Sequence, residues 1–158
     1  MKHNSAKEQS LQPTITGSSQ LKSITKELPA TELDERIRMA LKAAAEKKAL
    51  DLIVLDLREI ASFTDYFVIT SGTNERQVQA ISDEVFETLK KAGTAAARVE
   101  GYKTAEWILL DYGDFVVHVF DEKARRFYDL ERLWRESRRV ELPPDLAGKA
   151  NSFLRKES

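Results

Sequence analysis

The fold is decided by Trp-Ile-Leu-Leu-Asp-Tyr-Gly-Asp-Phe-Val-Val-His-Val-Phe, which occupies residues 107–120. Two apolar runs, 106–111 and 115–120, flank the Tyr-Gly-Asp segment, and this arrangement is typical of a β-hairpin. Side chains alternate between the two faces of a strand, so Trp107 and Asp111 are expected to share one face. The hairpin therefore predicts that a β-sheet lies at the centre of the fold.

Apolar spacing on both sides of the hairpin predicts the other elements. Residues 50–57 are apolar nearly throughout, as in a central strand covered on both faces, and 66–70 are aromatic and β-branched. The remaining predicted elements are a helix that begins near Thr31 and ends near Lys47 and Lys48, a long helix between the turn at 71–73 and Gly93, a weak strand at 95–99, and a short helix around Leu130, Leu133 and Trp134. This order predicts an α/β fold with a mixed sheet of about five strands, flanked by helices.

Composition divides the 158-residue chain into three parts. Residues 1–30 are polar and predict a flexible N-terminal extension, 31–142 form the predicted domain, and 143–158 predict a flexible C-terminal tail. The central residues, 31–136, carry 16 basic and 21 acidic side chains, whereas the segments on either side are each +2. An acidic domain favours a basic protein surface over nucleic acid. No run is long and apolar enough for a membrane span, and the expected location is the cytoplasm.

Few residues are available for catalysis. The chain has no cysteine and two histidines, His3 and His118, so a zinc site is not expected. The turn at 71–73 has a lone glycine and lacks both the Walker and the three-glycine phosphate-binding patterns. Asp111 and Asp114 bracket the hairpin turn, where aspartate bonds nearby backbone N–H groups, and their spacing does not put both on one strand face. These observations predict no cofactor and favour binding over catalysis.

Several residues keep two interpretations. Trp107 is either packed in the core or an exposed interface anchor, because tryptophan is enriched at interface hot spots. His118 is either a hydrogen-bonded strand residue or a partner contact. The Arg-Arg-Phe-Tyr run at 125–128 is either a solvated arginine pair beside core aromatics or an RNA-stacking site. A nucleotide-binding or nucleotidyltransferase-like enzyme and a self-associating protein also remain open.

Three spaced motifs resemble the ribosomal silencing factor family, also called RsfS/Iojap. They are Thr-Asp-Tyr-Phe-Val-Ile-Thr-Ser-Gly-Thr at 64–73 with Arg-Gln-Val at 76–78, the hairpin at 107–120 preceded by Glu-Gly-Tyr at 100–102, and the run from 125 to 134. The resemblance extends from about 33 to 142. Many members carry a glycine where this chain has Ala105.

The resemblance implies a nucleotidyltransferase-like fold without transferase activity. Residues 95–99 lack the Asp-x-Asp pair that such enzymes need, which agrees with this expectation. It further implies binding to the large ribosomal subunit through its protein number fourteen, steric hindrance of subunit joining, and a possible homodimer. The acidic charge of the domain predicts little direct RNA contact. The candidate partner-binding residues are Trp107, Asp111, Asp114, Glu100, His118 and Tyr128.

Overall fold

A computed structural model describes residues 27–28 and 33–146, and these form one mixed sheet with helices on both faces. The elements in chain order are β1 (Glu27–Leu28), α1 (Glu35–Glu46), β2 (Leu50–Asp56), β3 (Tyr66–Gly72), α2 (Glu75–Lys91), β4 (Arg98–Glu100), β5 (Trp107–Asp111), β6 (Phe115–Asp121), α3 (Glu122–Tyr128), α4 (Leu130–Leu133) and β7 (Arg138–Val140).

The sheet of the described residues has seven strands in the order β1-β7-β2-β3-β6-β5-β4. The predicted hairpin is confirmed, since β5 and β6 pair antiparallel with Trp107 opposite Phe120. The central pair, β3 and β6, is parallel, which makes the sheet mixed as predicted. The expected number of strands was too low, because β1 and β7 have only two and three residues and no apolar alternation. The weak strand predicted at 95–99 lies slightly later, at Arg98–Glu100.

Helices α1 and α2 cover one face of the sheet. Their buried residues repeat at helical spacing, as the sequence predicted. Asp34 caps α1 and accepts a hydrogen bond from the Arg36 N–H at 2.8 Å, so the helix begins at Glu35, four residues after Thr31, near which it was predicted to begin. The buried side chains between these helices and the sheet include Ile37, Leu41, Val78, Ile81, Val85, Leu89, Ile108, Leu110, Phe115, Val117 and Val119.

The opposite face is covered in part by α3 and α4. Helix α3 extends to Tyr128, and Asp121 caps its N-terminus by accepting a hydrogen bond from the Ala124 N–H at 2.7 Å. The short helix predicted around 130–134 is the four-residue α4, and its Leu133 is 70% exposed instead of buried. The apolar side chains on this face are Leu55, Leu57, Phe67, Ile69, Val116, Phe120, Ala124 and Leu130.

The ends of the described structure lie inside the segments predicted as the N-terminal extension, 1–30, and the C-terminal tail, 143–158. Strand β1 pairs with β7, and Leu146 is buried against the helix-covered core. Residues 1–26, 29–32 and 147–158 lie outside the described part of the chain. None of the helices described is both long enough and apolar enough to cross a membrane.

Candidate partner-binding site

Trp107 lies half-buried on the face of the sheet opposite α1 and α2. Burial alternates along β5, so Trp107, Leu109 and Asp111 share this face, as predicted, and Ile108 and Leu110 point into the helix-covered core. We call the side that carries Trp107 the open face. The Trp107 ring lies 4.9 Å from the Phe120 ring and 4.7 Å from the Tyr128 ring, measured between centroids. These contacts hold the indole in one orientation while part of it stays accessible.

A hydrogen bond fixes the Trp107 indole further. Its Nε1–H donates to Nδ1 of His118 at 3.0 Å, so that nitrogen must be unprotonated. His118 is only 3% exposed and packs edge-on against Phe67, with 4.4 Å between ring centroids. Burial lowers the pKa of His118 to about 3. Burial keeps the imidazole neutral and directs it at Trp107, which matches its interpretation as a hydrogen-bonded strand residue and leaves little of it for direct contact with a partner.

The start of β5 depends on a close approach of backbone. Gly101 has a φ of +80°, and a Cβ atom there would lie 2.1 Å from the carbonyl oxygen of Trp107. Only glycine fits this position without a shift of the backbone. Gly101 therefore helps to place Trp107 beside His118.

Glu100 and Asp111 also lie on the open face, because Glu100 pairs with Leu109 and Arg98 with Asp111 in the sheet register. Both carboxylates contact one guanidinium: Arg98 is 3.3 Å from Glu100 and 3.2 Å from Asp111. Asp111 also accepts a hydrogen bond from the Gly113 N–H at 2.9 Å, as expected of a turn aspartate. Any basic partner group would have to share these carboxylates with Arg98.

Asp114 is separated from this group. Its carboxylate accepts a hydrogen bond at 3.0 Å from Arg36, which belongs to α1 on the helix-covered side. Its side chain is 66% exposed, so it remains accessible at the hairpin turn. The structure thus brings together Trp107, His118 and Tyr128 and places Glu100 and Asp111 on the same face, whereas Asp114 is turned towards α1.

Two backbone donors at the turn that precedes α2 are bonded to side chains. The Thr73 N–H donates to Oε1 of Gln77 at 2.7 Å, and the Gln77 N–H donates to Oδ1 of Asn74 at 2.9 Å. A Cβ atom on Gly72 would lie 3.2 Å from the Val78 nitrogen, so this glycine serves close packing. These contacts support the interpretation of 71–73 as a strand-to-helix turn, since two of the N–H groups that a phosphate could use are bonded within the protein.

An aromatic cluster beside the site was not predicted. Phe63, Phe67 and Trp134 pack with ring centroids 5.8–6.1 Å apart, and Phe63 remains 60% exposed. Phe63 lies in the loop between β2 and β3 and shares no period with its neighbours, so its local sequence carries no signal of this contact. The cluster widens the apolar part of the open face.

Known proteins match this chain over most of its length. The model of the family "Ribosomal silencing factor during starvation" matches residues 30–157. A ribosomal silencing factor RsfS from Halalkalibacterium halodurans is 41% identical over 68% of this chain and 92% of its own length. The chloroplastic protein Iojap of Zea mays is 38% identical over 66% of this chain and 45% of its own length.

Solved structures agree with the fold. A crystal structure of a Chromobacterium violaceum protein has a TM-score of 0.64 and 35% identity, covering 71% of this chain and 90% of that one. A second, from Bacillus halodurans, has a TM-score of 0.62 and 41% identity, covering 68% and 98% of the two chains. The sequence motifs, the arrangement of the sheet and these similarities lead to one conclusion: the chain belongs to the RsfS/Iojap family of ribosomal silencing factors.

Proposed function

We propose that this protein binds the large ribosomal subunit through ribosomal protein number fourteen and prevents joining of the small subunit by covering the surface that the small subunit would contact. The observation that carries the proposal is Trp107, a half-buried indole fixed by His118, Phe120 and Tyr128 on the open face. A rigid aromatic side chain loses little conformational entropy on binding and is a common interface anchor.

Charge supports a basic protein as the partner. Residues 33–121 contain sixteen acidic and eleven basic side chains, a net charge of −5. Such a surface accelerates encounter with a positively charged one. The carboxylates near the anchor already contact Arg98, and exposed ion pairs contribute only about 0–1 kcal/mol each. Most of the affinity is therefore assigned to Trp107 and the apolar surface around it.

The proposed mechanism is steric and needs no covalent step. The described residues contain no group of three or more His, Cys, Asp or Glu side chains placed to hold a metal ion. Residues 98–100 form the strand where a nucleotidyltransferase would need two carboxylates, and Glu100 is the acidic residue present there, paired with Arg98. These observations favour a binding protein over the nucleotidyltransferase alternative.

An order-of-addition experiment tests the proposal. Purified large and small subunits are mixed and their joining is followed by light scattering, with the protein added either before or after mixing. Steric occlusion predicts that a stoichiometric amount of the protein, added before mixing, suppresses the rise in scattering. When the protein is added after mixing, scattering should fall only as fast as the joined ribosomes dissociate. Binding to isolated ribosomal protein fourteen, measured by calorimetry, identifies the contact. Full joining in the presence of saturating protein would contradict the proposal.

A further inference from the structure

A cationic surface with exposed rings lies beside the open face. The side chains of Arg126, Phe127, Tyr128, Arg132, Leu133 and Arg135 line one shallow concavity formed by α3 and the turn of α4; we call this set the arginine–aromatic patch. Phe127 is 78% exposed and Leu133 is 70% exposed. Large apolar side chains this accessible, beside three guanidinium groups, mark a binding surface.

The arginines of the patch are available to a partner. None of the three guanidinium groups forms an ion pair with any residue that the structure describes. Their neighbour Arg125 differs: it is 8% exposed and contacts Glu131 at 2.7 Å and Ser71 at 3.3 Å. Arg125 joins α3, α4 and β3, so it is a structural residue, whereas Arg126 next to it points to solvent.

The charge of this region is opposite to that of the rest of the domain. Residues 122–139 contain seven basic and four acidic side chains, a net charge of +3, against −5 for residues 33–121. The concavity itself carries three arginines and one carboxylate, Asp129. The patch is thus a positively charged region of an acidic domain, and charge complementarity favours an anionic partner.

We infer that the arginine–aromatic patch binds unpaired RNA, namely a ribosomal RNA segment next to the protein that Trp107 contacts. Exposed Phe127 and Tyr128 rings offer faces on which bases stack, and the guanidinium groups bind the phosphates between them. An acidic protein segment would use the charge but would leave both rings without a matching planar group. The inference rests on the proposed function for the location of the RNA.

Contact between the patch and the anchor supports simultaneous binding. Tyr128 belongs to the patch, and its ring lies 4.7 Å from that of Trp107 and 4.9 Å from that of Phe127. One ligand surface can therefore continue from the open face onto α3 without a gap. The contact with the ribosomal protein would position this protein on the large subunit, and the contact with RNA would add affinity that decreases as the salt concentration rises.

The test compares a patch variant with a charge-matched control in the full chain. The patch variant is R126A/R132A/R135A, and the control is K42A/K91A/K103A, which removes the same charge from exposed positions away from the patch. Each protein is titrated against a fluorescent single-stranded RNA of about twelve nucleotides, large subunits, and isolated ribosomal protein fourteen. Binding to large subunits is measured over a range of salt concentrations.

The inference predicts that the patch variant binds the RNA and the large subunit about tenfold more weakly, and that the slope of log Kd against log salt falls by about 2. Its binding to isolated protein fourteen should match that of the control. Phe127→Ala, which changes no charge, should also weaken RNA binding. Equal RNA affinity of the patch variant and the control would overturn the inference.

The remaining outcomes are also decisive. If the patch variant loses affinity for isolated protein fourteen to the same extent as for large subunits, the patch belongs to a protein interface and the RNA inference is wrong. If the unmodified protein fails to bind protein fourteen but binds RNA through the patch, the proposed function fails while the patch keeps its assignment.

Discussion

The two faces of the sheet are formed by the same strands but carry different types of side chain. The face under α1 and α2 is aliphatic and closed, and Ile108 and Val119 on it are fully buried. On the open face, the half-buried indole of Trp107 contacts both the buried imidazole of His118 and the exposed phenol of Tyr128. Because neighbouring residues of a strand point to opposite sides, one hairpin contributes to the core on one face and to the proposed binding surface on the other, and mutations can separate the two.

The largest effect on folding is expected from the closed face. Ile81 in α2 is fully buried, so Ile81→Ala should lower the free energy of unfolding by about 2–5 kcal/mol through lost transfer energy and the cavity left behind. Urea denaturation gives this value. Binding of the folded variant to large subunits should be unchanged, and a loss of less than about 1 kcal/mol would contradict the assignment of the core to this face.

The open face should show the converse. Trp107→Ala is expected to weaken binding to large subunits by about 2 kcal/mol or more, roughly 30-fold, and to destabilise the fold less than Ile81→Ala because the indole is only partly buried. Trp107→Phe keeps a ring but loses the Nε1–H that donates to His118, so its affinity should be intermediate. Co-sedimentation measures both variants, and unchanged binding of folded Trp107→Ala would remove this residue from the interface.

The fold should lose stability in mild acid because of His118 on the open face. The pKa of His118 is lowered from an ordinary 6.5 to about 3, so the unfolded chain takes up a proton that the folded one does not. The stability that depends on neutral His118 is complete above pH 6.5 and is lost as pH falls towards 3, by about 2 kcal/mol between pH 6.5 and 5. His118→Gln, whose amide oxygen can accept from Trp107, should flatten the pH profile of urea midpoints in this window. An equal slope in the variant would assign the pH dependence to other groups.

Local patterns were sufficient to predict most of the fold and little of the site. The helices α1 and α2 and the strands β2, β3, β5 and β6 have clear periods of 3.6 or 2, and they were predicted close to their bounds. By contrast, β7 is Arg-Arg-Val, and it is a strand because β2 and β1 pair with it. A three-residue strand held by its neighbours leaves no periodic signal.

The site shows the same division between local and distant causes. That Trp107 and Asp111 share a face follows from alternation alone. His118 is buried because β6 pairs in parallel with β3, which places Phe67 beside the imidazole. These two residues are 51 positions apart in the chain, so the spacing of residues in the sequence does not reveal their contact. The contacts of Asp111 with Arg98 and of Asp114 with Arg36 likewise depend on which elements are neighbours.

The smallest change in stability is expected at Ala105, which lies two residues before the start of β5 at Trp107. Its φ of +55° is left-handed, a conformation that costs an alanine about 1–2 kcal/mol, yet its methyl group is fully buried. Ala105→Gly relieves that strain but loses a buried methyl worth about 0.8 kcal/mol, so the stability should change by less than about 1 kcal/mol. Ala44→Gly in α1 is the matched control, because it also loses a buried methyl but relieves no strain. The control should therefore lose more stability than Ala105→Gly by about 1 kcal/mol, and equal losses in urea denaturation would show that the left-handed backbone at Ala105 is not strained.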